Sequence, residues 1–347
     1  MHVQVLRRMS LIPSLLVWLA VSASAAESYH LVHTYKFDAA PGGREYFDYI
    51  NVDPASHRAY LSHGSEVLVV NVDTGALEGK ISGLKLSHGV ALVPDQGRGF
   101  ITDGQQGKIV IFDLKSLKVI GDLSAAPDAD SILYDPSSKH VFSFNGDSRN
   151  STVVDPAMGK VVGTIDLGGS PEFAVADGEG MIYNNLEDKS EVIAIDVKSL
   201  AIKSRWPISP AGAPAPLAMD RDHRRLFVSG RNPPMLVVMN ANDGKVIQSF
   251  PISAGADASI YDPQTKRIFV STREGWIHVF HEDSPDHFSE VGKIKTELGA
   301  KTMGFDPGKD LLMVDTAQFQ LPAANQEHPH PRPVAVPGTF HLLVYGE

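Results

Sequence analysis

Between residues 58 and 81 the chain alternates short apolar runs with polar breaks. Residues 59–62 and 67–72 form two runs around Gly64, and Asp73-Thr74-Gly75 precedes a third run ending at Ile81. Runs too short for a helix, separated by glycine and aspartate turns, predict a β-meander.

The same pattern is written six more times. Using one apolar position in the second strand of each copy as anchor gives Tyr60, Phe100, Phe142, Tyr183, Phe227, Phe269 and Leu312, spaced 40, 42, 41, 44, 42 and 43 residues apart. Seven copies at a near-constant period predict a repeat architecture. Each copy divides into four strands, which in the first copy are a (49–52), b (58–62), c (67–72) and d (77–81). Asp53-Pro54, Asp135-Pro136, Asp262-Pro263 and Asp306-Pro307, with Asp177-Gly178 as a variant, mark the a–b turns. There the aspartate side chain caps the turn and proline presets φ, so these aspartates read as turn-formers and not as catalysts.

The seventh copy is short of one strand. Its third is the run 340–345, and residues 29–37, an alternating segment before the first copy, would supply the fourth and close a ring without exposed sheet edges. The same copy carries an insertion at 317–338 between strands b and c, rich in proline and containing His328 and His330. A segment of that composition is expected outside any sheet, as an extended flap.

Residues 1–26 read as a secretory signal peptide: Arg7 and Arg8, an apolar stretch from Leu11 to Val21, and Ala23-Ser-Ala-Ala26 as the cleavage site. The apolar stretch is short for a membrane span, and no later run is long enough, so a periplasmic or secreted protein without a membrane span is expected. The chain has no cysteine, which excludes disulfides, thiolate nucleophiles, iron–sulfur clusters and haem c. Stability must come from apolar packing and ring closure. The formal charge is −10, becoming −12 without Arg7 and Arg8, and no basic run is present, so nucleic acid is an unfavoured partner.

The repeats resemble the YVTN-type β-propeller repeat, and residues 29–347 look like a YncE-like secreted protein. The segments that carry this are Arg58-Ala-Tyr-Leu-Ser-His-Gly64 with Val69-Val-Asn-Val-Asp-Thr-Gly75, Lys266-Arg-Ile-Phe-Val-Ser271 and Asp243-Gly-Lys-Val-Ile-Gln248. The resemblance implies an all-β, seven-bladed propeller of four-stranded antiparallel blades over residues 27–347. It implies no particular reaction, because propellers host binding modules and enzymes alike.

Propeller geometry nevertheless says where chemistry would gather. The start of strand a, at the mouth of the central channel, is occupied in the seven copies by Asp48, His88, Asp130, Glu172, Ala215, Asp257 and Lys301. At the ends of strand b, on the same face, stand His63, Asp103, Asn145, Glu187, Arg231, Arg273 and Asp315. Converging carboxylates repel unless a cation or a basic side chain intervenes. Asp48, Asp130, Glu172 and Asp257 are therefore candidate ligands for a divalent cation such as calcium, while pairing with Lys301, Arg231 and Arg273 is the other solution. Asp48, His88, Asp130, Glu172, Asp257, Lys301, Arg231 and Arg273 form the candidate ligand-binding set.

Two functions follow from this set. One is a binding propeller, expected to be a monomer, that holds a small molecule, peptide or protein at the channel mouth. The other is a metal-assisted enzyme of the lactonase or lyase kind, with His63 or His88 as general base. His278 and His281 lie three apart in a strand and so face opposite sides, which speaks against a linear metal cluster there. Phosphate loops, nucleophile elbows and zinc helices are absent, and with Trp206 and Trp276 as the only tryptophans beyond the signal segment, so are the tryptophan-rich repeats of quinone-binding propellers.

Overall fold

The computed structural model describes residues 28–322 and 333–347. The signal segment, and His328 and His330 of the insertion, lie outside the described residues.

Seven four-stranded antiparallel sheets form a closed ring. Blade 1 consists of Ile50–Asp53, Arg58–His63, Glu66–Asn71 and Leu77–Ser82. The innermost strands of blades 2 to 7 are Ser87–Val93, Ala129–Asp135, Pro171–Ala176, Pro214–Asp220, Ala256–Asp262 and Met303–Asp306. Blade 7 is assembled from both ends of the chain. Its outermost strand is His30–Lys36, which pairs antiparallel with His341–Gly346 as the count of strands anticipates.

Each anchor aromatic does the work its repetition suggests: Tyr60, Phe100, Phe142, Tyr183, Phe227 and Phe269 are at most 1% exposed. They fall in six of seven separate apolar clusters, one wedged between each pair of consecutive blades; the seventh, between blades 7 and 1, is built instead around Leu61, Leu68 and Phe340. The core is thus a set of interfaces, and each blade is stable only against its neighbours. Polar clasps add to this along the outer face. Arg58 donates to the Leu114 carbonyl, Arg98 to Pro156 and Arg225 to Pro285, each the first residue of strand b reaching into the next blade.

The turn aspartates act locally. Asp53, Asp135, Asp177, Asp262 and Asp306 accept backbone N–H bonds from residues two or three further on. The insertion departs from expectation at its base. Phe319–Gln320 and Val334–Ala335 pair as a short antiparallel ribbon, so the ends of the segment do enter a sheet of their own. Proline is excluded from ladders by its missing N–H, and the paired residues are those without it.

Candidate functional site

A recurring irregularity builds the channel mouth. In blades 2 to 6 the ladder between strands a and b slips at Ser87/Val90, Ala129/Ile132, Pro171/Ala174, Pro214/Leu217 and Ala256/Ala258. Each slip brackets the predicted ring position: His88, Asp130, Glu172, Ala215 or Asp257. A bulge kinks the strand and re-aims one side chain. Repeated five times, it turns these residues out of their blades and towards a common axis.

The structure brings the ring into contact. Lys301 Nζ bridges Asp48 and Asp257 at 3.1 Å each. Arg231 contacts Asp257, reaches Glu187 at 3.0 Å and stands 3.5 Å from Glu172, while the more exposed Arg273 adds a contact of 3.3 Å to Asp257. His88 Nδ1 lies 2.9 Å from Asp48 and 3.2 Å from Asp130. Tyr46 donates from its hydroxyl to Asp48 Oδ2 at 3.1 Å and lies edge-on to the imidazole. Room for that imidazole depends on Gly104, where a Cβ would stand 2.6 Å from His88 Nε2.

These contacts set the charges. Burial alone would lower the His88 pKa, but hydrogen bonds to Asp130 and Asp48 outweigh it and raise it to about 10. Burial works to raise Asp48 and Asp257, yet Lys301 holds both below the usual carboxylate range, assisted by His88 at Asp48 and by Arg273 and Arg231 at Asp257. On the far arc the balance reverses. Burial raises Asp130 and raises Glu172 strongly, and their cationic neighbours do not offset it. Apart from His88 Nδ1 at 3.2 Å, Asp130 Oδ1 has no polar partner among the described residues. The mouth is therefore bipolar, with fixed ion pairs around Lys301 and Arg231 and poorly compensated carboxyls at blades 3 and 4.

The four carboxylates do not assemble as one ligand set. Asp48 and Asp130 converge with His88, the three donor atoms lying within 4.8 Å of one another. Asp257 and Glu172 are instead engaged by Lys301 and the arginines. His63 is separated from the mouth altogether. Its Nε2 is 2.6 Å from Glu45, both side chains are fully buried, and the ring stacks on Phe340. Its Ser-His-Gly context matches that of His88, but it ends strand b where His88 lies in strand a, and a base so enclosed meets no substrate. Of the other strand-b ends, Asp103 caps the Lys85 and Leu86 amides, and Asp315 accepts from Thr302 and is pushed by burial to about 8.

Below the charged ring the channel is plugged by Tyr49 and Phe173, which the repeat alignment did not single out. Each directly follows a ring residue, and an aromatic at that step was the available signal. An open depression of about 520 Å³ lies at the opposite end, against Ile50, Ile260, Met303, Phe305 and the a–b turns of blades 6, 7 and 1. It is a shallow apolar groove without ionisable convergence.

No family model and no curated protein sequence matches the chain. Similar solved structures exist at low identity. A chain of the mitotic checkpoint complex aligns at a TM-score of 0.74 and 12% identity, covering 100% of this chain and 99% of that one. U3-55K aligns at 0.72 and 10%, covering 92% and 99%. Hydrazine synthase of Kuenenia stuttgartiensis aligns at 0.68 and 14%, covering 87% and 97%. At these identities the likeness establishes the propeller fold alone.

Proposed function

We propose that the protein is a secreted, monomeric, YncE-like propeller that binds a ligand bearing a cationic amine, a small molecule or a peptide, at the channel mouth. The observation that supports this is the poorly compensated pair Asp130 and Glu172, raised by burial and lying beside fixed ion pairs. An ammonium group entering there would donate to Asp130 Oδ1, which His88 alone approaches, and relieve the burial of both carboxyls. Lys301, Arg231 and Arg273 would receive the ligand's acceptor groups. No bond needs to break for this function, and the ring's internal pairing keeps it rigid for binding.

The reading is tested by thermal unfolding of the purified protein, in the presence of chelator, with lysine, glycyl-lysine and spermidine. A ligand that binds only the folded state raises the midpoint. The rise is expected in the wild type and lost in Asp130→Asn and Glu172→Gln. No response to any of the three amines overturns the ligand class.

A second reading is the metal-assisted lactonase or lyase, favoured by the convergence of Asp48, His88 and Asp130. It has a chemical obstacle. A general base must be neutral at working pH; hydrogen bonds to Asp130 and Asp48 raise His88 to about 10, and a cation bound to those carboxylates would have to displace the imidazolium proton and withdraw that support. A midpoint raised by calcium and not by amines would favour this reading.

A further inference from the structure

The second convergence of ligand-type side chains lies on the other side of the ring, between blades 5 and 6. Asp220 ends strand a of blade 5 and caps its a–b turn, accepting from the Asp222 amide. His223 belongs to the same turn, and its Nδ1 is 2.7 Å from Asp220 Oδ2. Glu282 comes from strand c of blade 6 (Trp276–Ser284), and its Oε1 is 2.9 Å from the same nitrogen.

Glu282 is out of place by the logic of the repeat. Its backbone N–H bonds to the Lys266 carbonyl. The equivalent residue makes the same bond in blades 1, 2, 4 and 5, where it is Val72, Leu114, Val197 or Ala241. A carboxylate has therefore replaced an apolar side chain in a slot that is 0% exposed. Tyr261 donates to Oε2 at 2.7 Å and orients the group, but Oε1 has no partner apart from the His223 nitrogen. Among the described residues, no lysine or arginine lies within ion-pair distance of Asp220 or Glu282.

Nδ1 carries at most one N–H for two carboxylates. Asp220 Oδ2 has the His223 amide as well, at 3.2 Å, whereas Glu282 Oε1 has no donor but that nitrogen, so two buried carboxylates face a single imidazole, which costs free energy. A metal ion has several coordination positions and serves all three donors together. We propose that Asp220, His223 and Glu282 form a divalent transition-metal site that pins blade 5 to blade 6. Two carboxylates and an imidazole suit zinc, cobalt or manganese. Tetrahedral zinc with bonds of about 2.0–2.1 Å separates its donors by about 3.3 Å, so the present spacing accepts the ion after an outward movement of roughly half an ångström. Tyr261 supplies the outer hydrogen bond that fixes a ligating carboxylate. The His223 side chain is 36% exposed, which gives the ion a path in and leaves positions for water. In a chain without cysteine, such a pin takes the place of a covalent link between blades.

The test is calorimetric titration of the chelator-treated protein with Zn²⁺, Co²⁺ and Mn²⁺, with the thermal midpoint followed in parallel. One equivalent of at least one of these ions is expected to bind and to raise the midpoint. Affinity should fall at least about tenfold in His223→Ala and in Glu282→Gln, and stay unchanged in Asp130→Asn, which alters the channel cluster. His223 is partly exposed, so that variant reports even if Glu282→Gln does not fold. Failure of all three ions to bind, wild-type affinity in His223→Ala, or loss of binding in Asp130→Asn instead would each overturn the proposal.

Discussion

Tyr49 of blade 1 and Phe173 of blade 4 meet with ring centroids 4.7 Å apart. These blades are not neighbours in the ring, so the two aromatics touch across its axis and plug the channel directly beneath the charged side chains. Burial, with Asp130, Asp48 and Glu172 close by, holds the Tyr49 phenol well above its ordinary pKa. Phe173→Ala is expected to destabilise the protein by about 1–3 kcal/mol, less than a fully buried phenylalanine would, because the site is partly open to solvent. A tyrosinate absorbance titration should then find one phenol ionising at lower pH than in the wild type, as water enters the plug.

Arg231 ties three blades together through Glu172, Glu187 and Asp257. Its removal leaves Glu172, which is largely out of water, without a cationic partner, while Asp257 keeps Lys301 and Arg273. Arg231→Ala should cost about 1–3 kcal/mol in urea unfolding at neutral pH, and Arg231→Lys should recover only part of that, since a point charge cannot reach all three acceptors.

His88 makes stability depend on pH in a stated direction. Its folded pKa of about 10 lies above the unfolded value. The contribution is therefore complete below about pH 6.5, the ordinary imidazole value, and fades as pH rises towards 10. Unfolding midpoints of the wild type should decline across that interval, and His88→Gln should flatten the decline.

Asp315 acts in a lower window. Burial lifts its carboxyl to about 8, so the folded state keeps a proton that the unfolded chain releases near its ordinary value of about 4. Stability from this group is full at acid pH and is lost as pH climbs to 8. Asp315→Asn retains an acceptor for Thr302 and should match the wild type near pH 4 while exceeding it at pH 8–9, by several degrees in Tm.

What the sequence could disclose was periodic. The anchor aromatics, the turn aspartates and the missing strand of the seventh repeat are each legible because neighbours along the chain produce them. The ring residues were legible as positions, since Asp48, His88, Asp130, Glu172, Asp257 and Lys301 occupy one place in the repeat. Their pairing was not. Which carboxylate Lys301 or Arg231 engages depends on bulge geometry and on long side chains crossing between blades. His63 misled because it ends strand b on the face of the mouth, while its side chain is buried against Glu45 and Phe340. Glu282 is the opposite case, since its linear context with His278 and His281 suggested little. Its significance appears only when the repeats are superposed and an apolar slot is found to hold a carboxylate.

The pairing of His30–Lys36 with His341–Gly346 has a kinetic meaning. Of the blade strands, His30–Lys36 is synthesised first and is the last to find its partner, and the loop it closes is roughly seven times the length of one blade. Loop-closure entropy grows only logarithmically, so those nearly three doublings add about 2 kcal/mol over closing a single blade. The delay is the greater burden: until residues 341–346 arrive, blade 7 lacks its third and outer strands and its second strand, Leu311–Thr316, keeps an open edge. Assembly of the ring is therefore all or none with respect to its seam, and a chain halted before residue 341 should be captured as an open, edge-exposed array.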